Sequence, residues 1–137
     1  MVLDFAIARH IMHPAEILIR RLRVDTDLSQ NDAQALRSLP IQVKDVEADT
    51  NIVREGDRPG VCCLIIKGFA CRSKVASTGR RQILSFHIAG DIPDLQSLFL
   101  KKMDHDLATI SPSTLGFIEH SALGRVLINQ SACVRHV

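Results

Sequence analysis

Residues 52–92 read IVREGDRPGVCCLIIKGFACRSKVASTGRRQILSFHIAGDI, and this stretch decides the fold. Gly56, Gly68, Gly79 and Gly90 separate short apolar runs at intervals of eleven or twelve residues. Short strands with turn residues at such regular spacing are typical of an antiparallel sandwich or barrel. The spacing therefore predicts a mainly β protein built around an antiparallel β-roll of the jelly-roll type.

The composition describes an ordinary folded domain. The chain has 137 residues, of which 46% are hydrophobic and 23% charged, enough to bury a core without help from metals or disulfides. No apolar run approaches the roughly 20 residues of a membrane helix, and the N-terminus lacks the basic flank and apolar core of a signal peptide. We therefore expect a cytoplasmic protein with no membrane partner, whose four cysteines are reduced.

The charge pattern argues against a nucleic-acid-binding surface. The net charge is only +2, acidic residues are interspersed among the basic ones, and the chain contains no tryptophan or tyrosine on which bases could stack. The basic clusters are interpreted as solvated surface.

Helices are predicted on both sides of the roll. Apolar residues at helical spacing predict two short helices between residues 14 and 38, with Ser29 as the N-cap of the second. Ser121 is predicted to cap a last helix that carries Leu123, Val126 and Leu127. The whole chain, residues 1–137, is thus predicted to be one domain with its roll over residues 43–119.

Alternation of apolar and polar residues predicts which faces of the strands are buried. Residues 61–66 are apolar on both faces, which predicts a strand covered by the roll interior on one side and by the helices on the other. In the next two strands the polar residues Arg72, Lys74, Arg81, Ser85 and His87 are expected on the wet face. The inward-facing residues are expected to include Phe69, Leu84, Phe86, Leu115 and Phe117. Residues 107–110 and 114–119 are expected to form a further hairpin.

These residues resemble a known family. The run Ile52 to Asp57, the pair Lys67-Gly68, the stretch Gly79 to Gln82 and the triplet Gly90-Asp91-Ile92 are similar to the sensory domain of the Crp/Fnr transcription regulators, which has the cyclic-nucleotide-binding fold. The resemblance extends from about Leu28 to Leu127. It implies a β-roll that binds or senses a small signal, a long helix after the roll that forms the dimer, and a C-terminal helix-turn-helix that reads DNA.

The resemblance also implies a candidate ligand site, the phosphate-binding cassette. In nucleotide-binding members a Gly-Glu-Leu triplet is followed by Arg-Ser-Ala or Arg-Thr-Ala. Here the counterparts are Gly90, Asp91 and Ile92 and then Asp106, Leu107 and Ala108, with an acid in place of the arginine that holds the cyclic phosphate. The loss of that charge-assisted contact, about 1.5–3 kcal/mol, weakens binding tenfold to a hundredfold. We therefore expect that the chain does not bind cyclic AMP tightly and has no other cofactor.

The sequence offers no catalytic or metal-ligating set. Cys62 and Cys63 are neighbours in a strand and point to opposite faces, so they do not clamp one metal. His87, His105 and His120 are far apart, and the chain has neither a nucleophile elbow nor the His-x-His pair of the cupins. A cupin-like metalloprotein is therefore kept only as a remote alternative.

The sequence thus predicts a non-enzymatic regulatory domain of a Crp/Fnr-type regulator, which senses an unidentified small-molecule effector or acts as a protein-interaction domain. The alternative is a genuine cyclic-nucleotide receptor. The segment from Ser121 to Val137 is too short for a helix-turn-helix, so DNA contact is expected only through a domain absent from this chain. It is also too short for a long dimer helix, so we expect a monomer, or a weak homodimer formed through a patch at the C-terminal end.

Overall fold

The computed structural model describes residues 13–129 and consists of two antiparallel sheets flanked by helices. The helices are α1 (Ala15–Asp25), α2 (Gln30–Arg37) and α3 (His120–Asn129), with a 3-10 helix at Leu95–Leu98. The strands are β1 (Gln42–Val46), β2 (Asn51–Val53), β3 (Val61–Lys67), β4 (Ala70–Val75), β5 (Arg81–His87), β6 (Asp106–Thr109) and β7 (Ser113–Glu119). The mainly β roll with helices at both ends is confirmed.

The strands form one sheet of order β1-β7-β3 and another of order β2-β6-β4-β5. Every pairing is antiparallel. The predicted strands at residues 107–110 and 114–119 exist as β6 and β7, but the predicted hairpin between them is wrong. β6 pairs with β2 and β4, whereas β7 pairs with β1 and β3, so the link through Pro112 crosses from one sheet to the other.

The helices begin and end close to the predicted positions. The Ser29 side chain accepts a hydrogen bond from the backbone N–H of Asp32 at 3.0 Å and so caps α2 as predicted. The last helix begins at His120, one residue before the predicted cap Ser121, and buries Leu123. The predicted core residue Leu127 lies in this helix, but its side chain is outside the described part of the chain.

Strand β3 separates two hydrophobic cores, as its apolar faces predict. Cys62 and Leu64 pack on the helix side, and Cys63 and Ile65 face the roll. The helix-side core also contains Ala15, Leu18, Ile19, Leu22, Ala33, Leu36, Leu39, Ile118, Ala122 and Leu123. The roll core also contains Val53, Ala70, Met103, Leu107 and Leu115.

The predicted orientation of the hairpin β4–β5 is wrong. Leu115 is buried and Phe117 is partly buried against the roll core, but Phe69, Leu84 and Phe86 are 55%, 50% and 66% exposed. The cause lies in the pairing. Arg72 is the partner of the buried Leu107 and therefore shares its inward face, together with Ser85 and His87 on β5. The roll is open at this end, so the inward face is polar and the outward face carries the large apolar side chains.

Candidate functional site

A cavity lies between helix α1 and the open end of the roll. Its volume is about 480 Å³, within the range of small-molecule sites. Its lining comes from α1, from β4 and β5, and from the segment that follows β5. The lining residues are Leu18, Arg21, Leu22, Asp25, Arg72, His87, Gly90, Asp91, Ile92, Pro93, Leu95, Gln96 and Phe99. We call this cavity the α1 pocket.

One half of the predicted site, Gly90, Asp91 and Ile92, lies in the wall of the α1 pocket. Gly90 has φ +96°, and a Cβ added there would stand 2.9 Å from the Cβ of Arg21, so the residue must be a glycine for the chain to pass this close to α1. The Gly90 N–H donates to the carbonyl of Ile65 at 2.8 Å, and the Ile65 N–H donates to the carbonyl of Asp91 at 3.0 Å. The segment is thereby attached to the free edge of β3.

The Asp91 carboxylate is fully engaged within the protein. It accepts from Arg21 Nη2 at 3.0 Å and from the backbone N–H of Ile88 at 3.0 Å, and it lies 3.3 Å from His87 Nδ1. His87 Nε2 is in turn 2.8 Å from the Ser85 hydroxyl. Burial lowers the pKa of His87, and the nearby Asp91 only partly opposes this effect. The histidine is therefore neutral near pH 7, and the Arg21–Asp91 pair is internally balanced.

The other half of the predicted site, Asp106, Leu107 and Ala108, is in β6 and does not line the α1 pocket. Asp106 accepts from the backbone N–H of Glu55 at 2.7 Å and from Arg81 Nη1 at 3.1 Å. Leu107 is completely buried in the roll core, and Ala108 is partly exposed on the opposite face. The structure therefore does not bring the two halves together.

Two pocket residues were missed by the sequence analysis. Arg72 was assigned to the wet face of its strand, yet it lines the α1 pocket, and its Nε is buried. The side-chain amide of Gln96 takes the orientation in which its oxygen accepts from Arg72 Nη2 and its nitrogen donates to the carbonyl of Pro93, both at 3.2 Å. No local sequence signal marks either residue. The direction of the Arg72 side chain is revealed only by the pairing of Arg72 with Leu107.

A third missed residue, Asp94, connects the same segment to β3. Its carboxylate is 1% exposed and accepts from the Cys63 N–H at 2.9 Å, in the place where a neighbouring strand would present a carbonyl. Burial raises the pKa of Asp94 to about 6. The segment thus completes the hydrogen bonding of an edge strand that is otherwise unpaired on this side.

The segment also contacts the last helix. Ser97, in the 3-10 helix, has its hydroxyl 2.8 Å from His120 Nε2 at the start of α3 and 3.4 Å from Cys62 Sγ. Burial raises the pKa of Cys62 to about 12, so this thiol is a protonated packing group and not a nucleophile at neutral pH. The residues from Gly90 to Ser97 therefore join the α1 pocket, strand β3 and helix α3.

No three His, Cys, Asp or Glu side chains among residues 13–129 are arranged to hold a metal ion. None of the helices in the same range is long and apolar enough to cross a membrane.

The chain is similar to proteins of known fold. A model of the cyclic nucleotide-binding domain matches residues 43–130. No curated protein sequence matches the chain significantly. Among solved structures, the sensor domain of the transcriptional regulator DNR from Pseudomonas aeruginosa is 15% identical with a TM-score of 0.70; the match covers 90% of this chain and 85% of that one.

Two longer proteins show the same fold similarity. The catabolite activator protein of Thermus thermophilus is 14% identical with a TM-score of 0.68, and the match covers 79% of this chain and 51% of that one. The regulatory domain of Toxoplasma gondii PKA, crystallised with cAMP, is 20% identical with a TM-score of 0.66; the match covers 83% of this chain and 43% of that one. The chain therefore spans about half the length of the activator and less than half the length of the PKA protein.

Proposed function

The chain belongs to the cyclic nucleotide-binding domain family, and from this premise we propose that it is a regulatory, ligand-sensing domain of a Crp/Fnr-type transcription regulator. One observation carries the proposal. The segment Gly90–Ser97 lines the α1 pocket at one end and contacts helix α3 through Ser97 at the other. A ligand that displaces this segment changes the Ser97–His120 contact directly, which is the coupling that a sensor needs.

The contacts in the pocket support a ligand other than tightly bound cyclic AMP. Asp25 and Asp91 line the pocket together with Arg21 and Arg72, so the lining carries no net positive charge with which to hold a phosphate tightly. The position expected to hold the phosphate-binding arginine is Asp106, whose carboxylate is bonded to Arg81 and to the Glu55 backbone away from the pocket. We propose that the domain is non-enzymatic and needs no cofactor.

A genuine cyclic-nucleotide receptor is the second candidate. The observation in its favour is Arg72, a cation in the pocket wall that can meet a phosphate. The PKA regulatory domain with bound cAMP shares the fold, so such a ligand is compatible with this type of roll.

The remaining parts of the proposal concern the partners. The domain is proposed to act in the cytoplasm and to influence DNA through a helix-turn-helix other than the roll and helices of residues 13–129. The sensor domain of the transcriptional regulator DNR supports this role by similarity of fold.

The proposed sensing can be tested without knowing the ligand. Leu22 is buried in the pocket wall, whereas Val24 on the same helix is 78% exposed. Leu22→Trp adds bulk to the pocket as a ligand would, and we expect it to shift the ¹⁵N resonance of His120 Nε2, while Val24→Trp leaves that resonance in place. A folded Leu22→Trp variant with an unchanged His120 signal contradicts the sensing role.

Titration with cyclic AMP and cyclic GMP separates the two candidates. With the proposed sensor, neither nucleotide at micromolar concentration raises the melting temperature. A dissociation constant of about 10 μM or lower in calorimetry establishes the receptor instead.

A further inference from the structure

Arg72 is the starting point for a more specific inference about the ligand. Its Nε is the only buried side-chain nitrogen or oxygen without a hydrogen-bond partner among the described side chains, those of residues 13–126. Since a buried donor left unsatisfied is unfavourable, nearly all such groups in folded proteins have a partner. A buried donor without a partner in the wall of a cavity therefore points to a hydrogen-bond acceptor that enters the cavity.

The charge of Arg72 is also not balanced by the described residues. Its Nη2 donates to the Gln96 amide oxygen, a neutral acceptor. Asp91, a carboxylate in the same pocket, is bonded to Arg21 and the Ile88 N–H. No described carboxylate forms an ion pair with Arg72. Arginine forms its strongest hydrogen bonds with carboxylate and phosphate oxygens, because its planar fork of donors fits them.

The rest of the pocket determines the body of the ligand. Five large apolar side chains line the pocket beside its polar ones, and they come from α1 and from the segment after β5. They are Leu18, Leu22, Ile92, Leu95 and Phe99. Asp91 is balanced by Arg21, and Asp25 offsets the charge of Arg72, so the lining has no surplus of positive charge for a ligand with two negative charges.

Building on the proposed function, we propose that the α1 pocket binds an organic oxyanion with a single negative charge and an apolar body. One ligand oxygen accepts from Arg72 Nε, while Gln96 continues to hold Nη2. The apolar body lies against Leu22, Ile92 and Leu95. Both carboxylates and phosphodiesters offer this chemistry.

The experiment is an NMR and calorimetric titration of the full chain with three probes. Octanoate supplies a carboxylate, diphenyl phosphate supplies a phosphodiester, and 1-octanol is the neutral analogue of octanoate. We expect at least one of the two anions to bind and to shift the ¹⁵Nε–¹H signal of Arg72, with 1-octanol binding at least tenfold more weakly. Which of the two anions binds more tightly identifies the head group.

Variants connect the binding to Arg72. Arg72→Gln removes the charge, and Arg72→Lys keeps the charge but loses the fork, so each is expected to weaken anion binding tenfold to a hundredfold. Lys74→Gln is the matched control, because it removes one positive charge from the exposed end of the same strand, and it should leave binding unchanged.

Several results overturn the inference. It falls if 1-octanol binds as tightly as octanoate, if neither anion shifts the Arg72 signal at millimolar concentration, or if Lys74→Gln weakens binding as much as Arg72→Gln. It also falls if Arg72→Lys folds and binds like the wild type. None of these results affects the coupling between the pocket and His120, which Leu22→Trp tests independently.

Discussion

At the scale of single residues, Gly90 shows how closely this site is packed. Its positive φ and its distance from α1 are independent reasons for a glycine, because a side chain there is strained by the backbone and also meets Arg21 and the Ile17 carbonyl. Gly79 has a similar φ of +85°, but no atom lies within 4 Å of an added Cβ. A comparison of the two positions therefore separates the effect of backbone strain on stability from the effect of close packing.

Alanine at these positions should show the difference. Gly79→Ala is expected to lower the free energy of unfolding by about 1–2 kcal/mol, the cost of a left-handed conformation for an L-residue. Gly90→Ala should cost roughly 1–3 kcal/mol more, since Arg21 or α1 must move. Urea denaturation of both variants measures the two values. Equal losses would mean that the approach to α1 imposes no packing constraint.

At the scale of secondary-structure elements, the segment after β5 acts as a substitute for a missing strand. β3 is the edge of its sheet, and the segment supplies it with the Asp91 carbonyl, the Gly90 N–H and the Asp94 carboxylate. The use of a carboxylate makes this attachment dependent on pH. Burial disfavours the charged form of Asp94, so the pKa of Asp94 is raised from 3.8 to about 6.

The sign of the effect follows from the raised pKa. Between about pH 4 and pH 6 the folded state holds a proton on Asp94 that the unfolded state has released, so the contribution of Asp94 to stability is present at low pH and is lost as the pH rises. A shift of this size corresponds to about 3 kcal/mol. His87 acts in the opposite direction, because its pKa is lowered in the folded state and its contribution is lost as the pH falls.

Asp94→Asn isolates the carboxylate, because the contribution of His87 cancels in the comparison with the wild type. The amide oxygen can still accept from the Cys63 N–H, but the side chain does not ionise. We expect the free energy of unfolding of the variant, relative to the wild type, to rise by about 2–3 kcal/mol between pH 4 and pH 8. A difference that stays constant over this range, measured by urea denaturation, would show that Asp94 does not titrate near pH 6.

At the scale of the whole molecule, the inverted hairpin leaves apolar surface exposed. Val75, Ile83, Leu84 and Phe86 are between 44% and 66% exposed on β4 and β5, and we call them the hairpin patch. The patch expected from the sequence was at the C-terminal end, part of which lies outside residues 13–129. A stable interface needs about 800 Å² from each partner, more than four half-exposed side chains supply.

The chain is therefore expected to be a monomer at micromolar concentration, with weak self-association at higher concentration through the hairpin patch. Phe86→Ser should reduce that association and change the stability by no more than about 0.5 kcal/mol, since the ring is mostly in solvent. Val24→Ser, on α1 and 78% exposed, is the control and should leave the association unchanged. Sedimentation velocity measures both variants, and a dimer that survives dilution to nanomolar concentration would disprove the prediction.

The sequence by itself determined the antiparallel roll, its flanking helices and the doubly buried strand β3. These features depend on local patterns: glycines at regular turns, a serine N-cap, and a run that is apolar on both faces. Through their resemblance to a family motif it also predicted a site at Gly90, Asp91 and Ile92, and these residues lie in the wall of the α1 pocket. Each of these signals is a pattern or a spacing that can be read along the chain without knowing which distant residues meet.

Only the tertiary structure decided which face of β4 and β5 points inward. Alternation of apolar and polar residues defines two faces of a strand but not which one is covered. The rule that the apolar face points inward fails where the interior is an open pocket lined by polar groups. For the same reason Arg72 and Asp94 could not be found from the sequence. The directions of their side chains depend on Leu107 and Cys63, which lie 35 and 31 residues away. Contacts between such distant parts of the chain form only when the two sheets and helix α1 pack together.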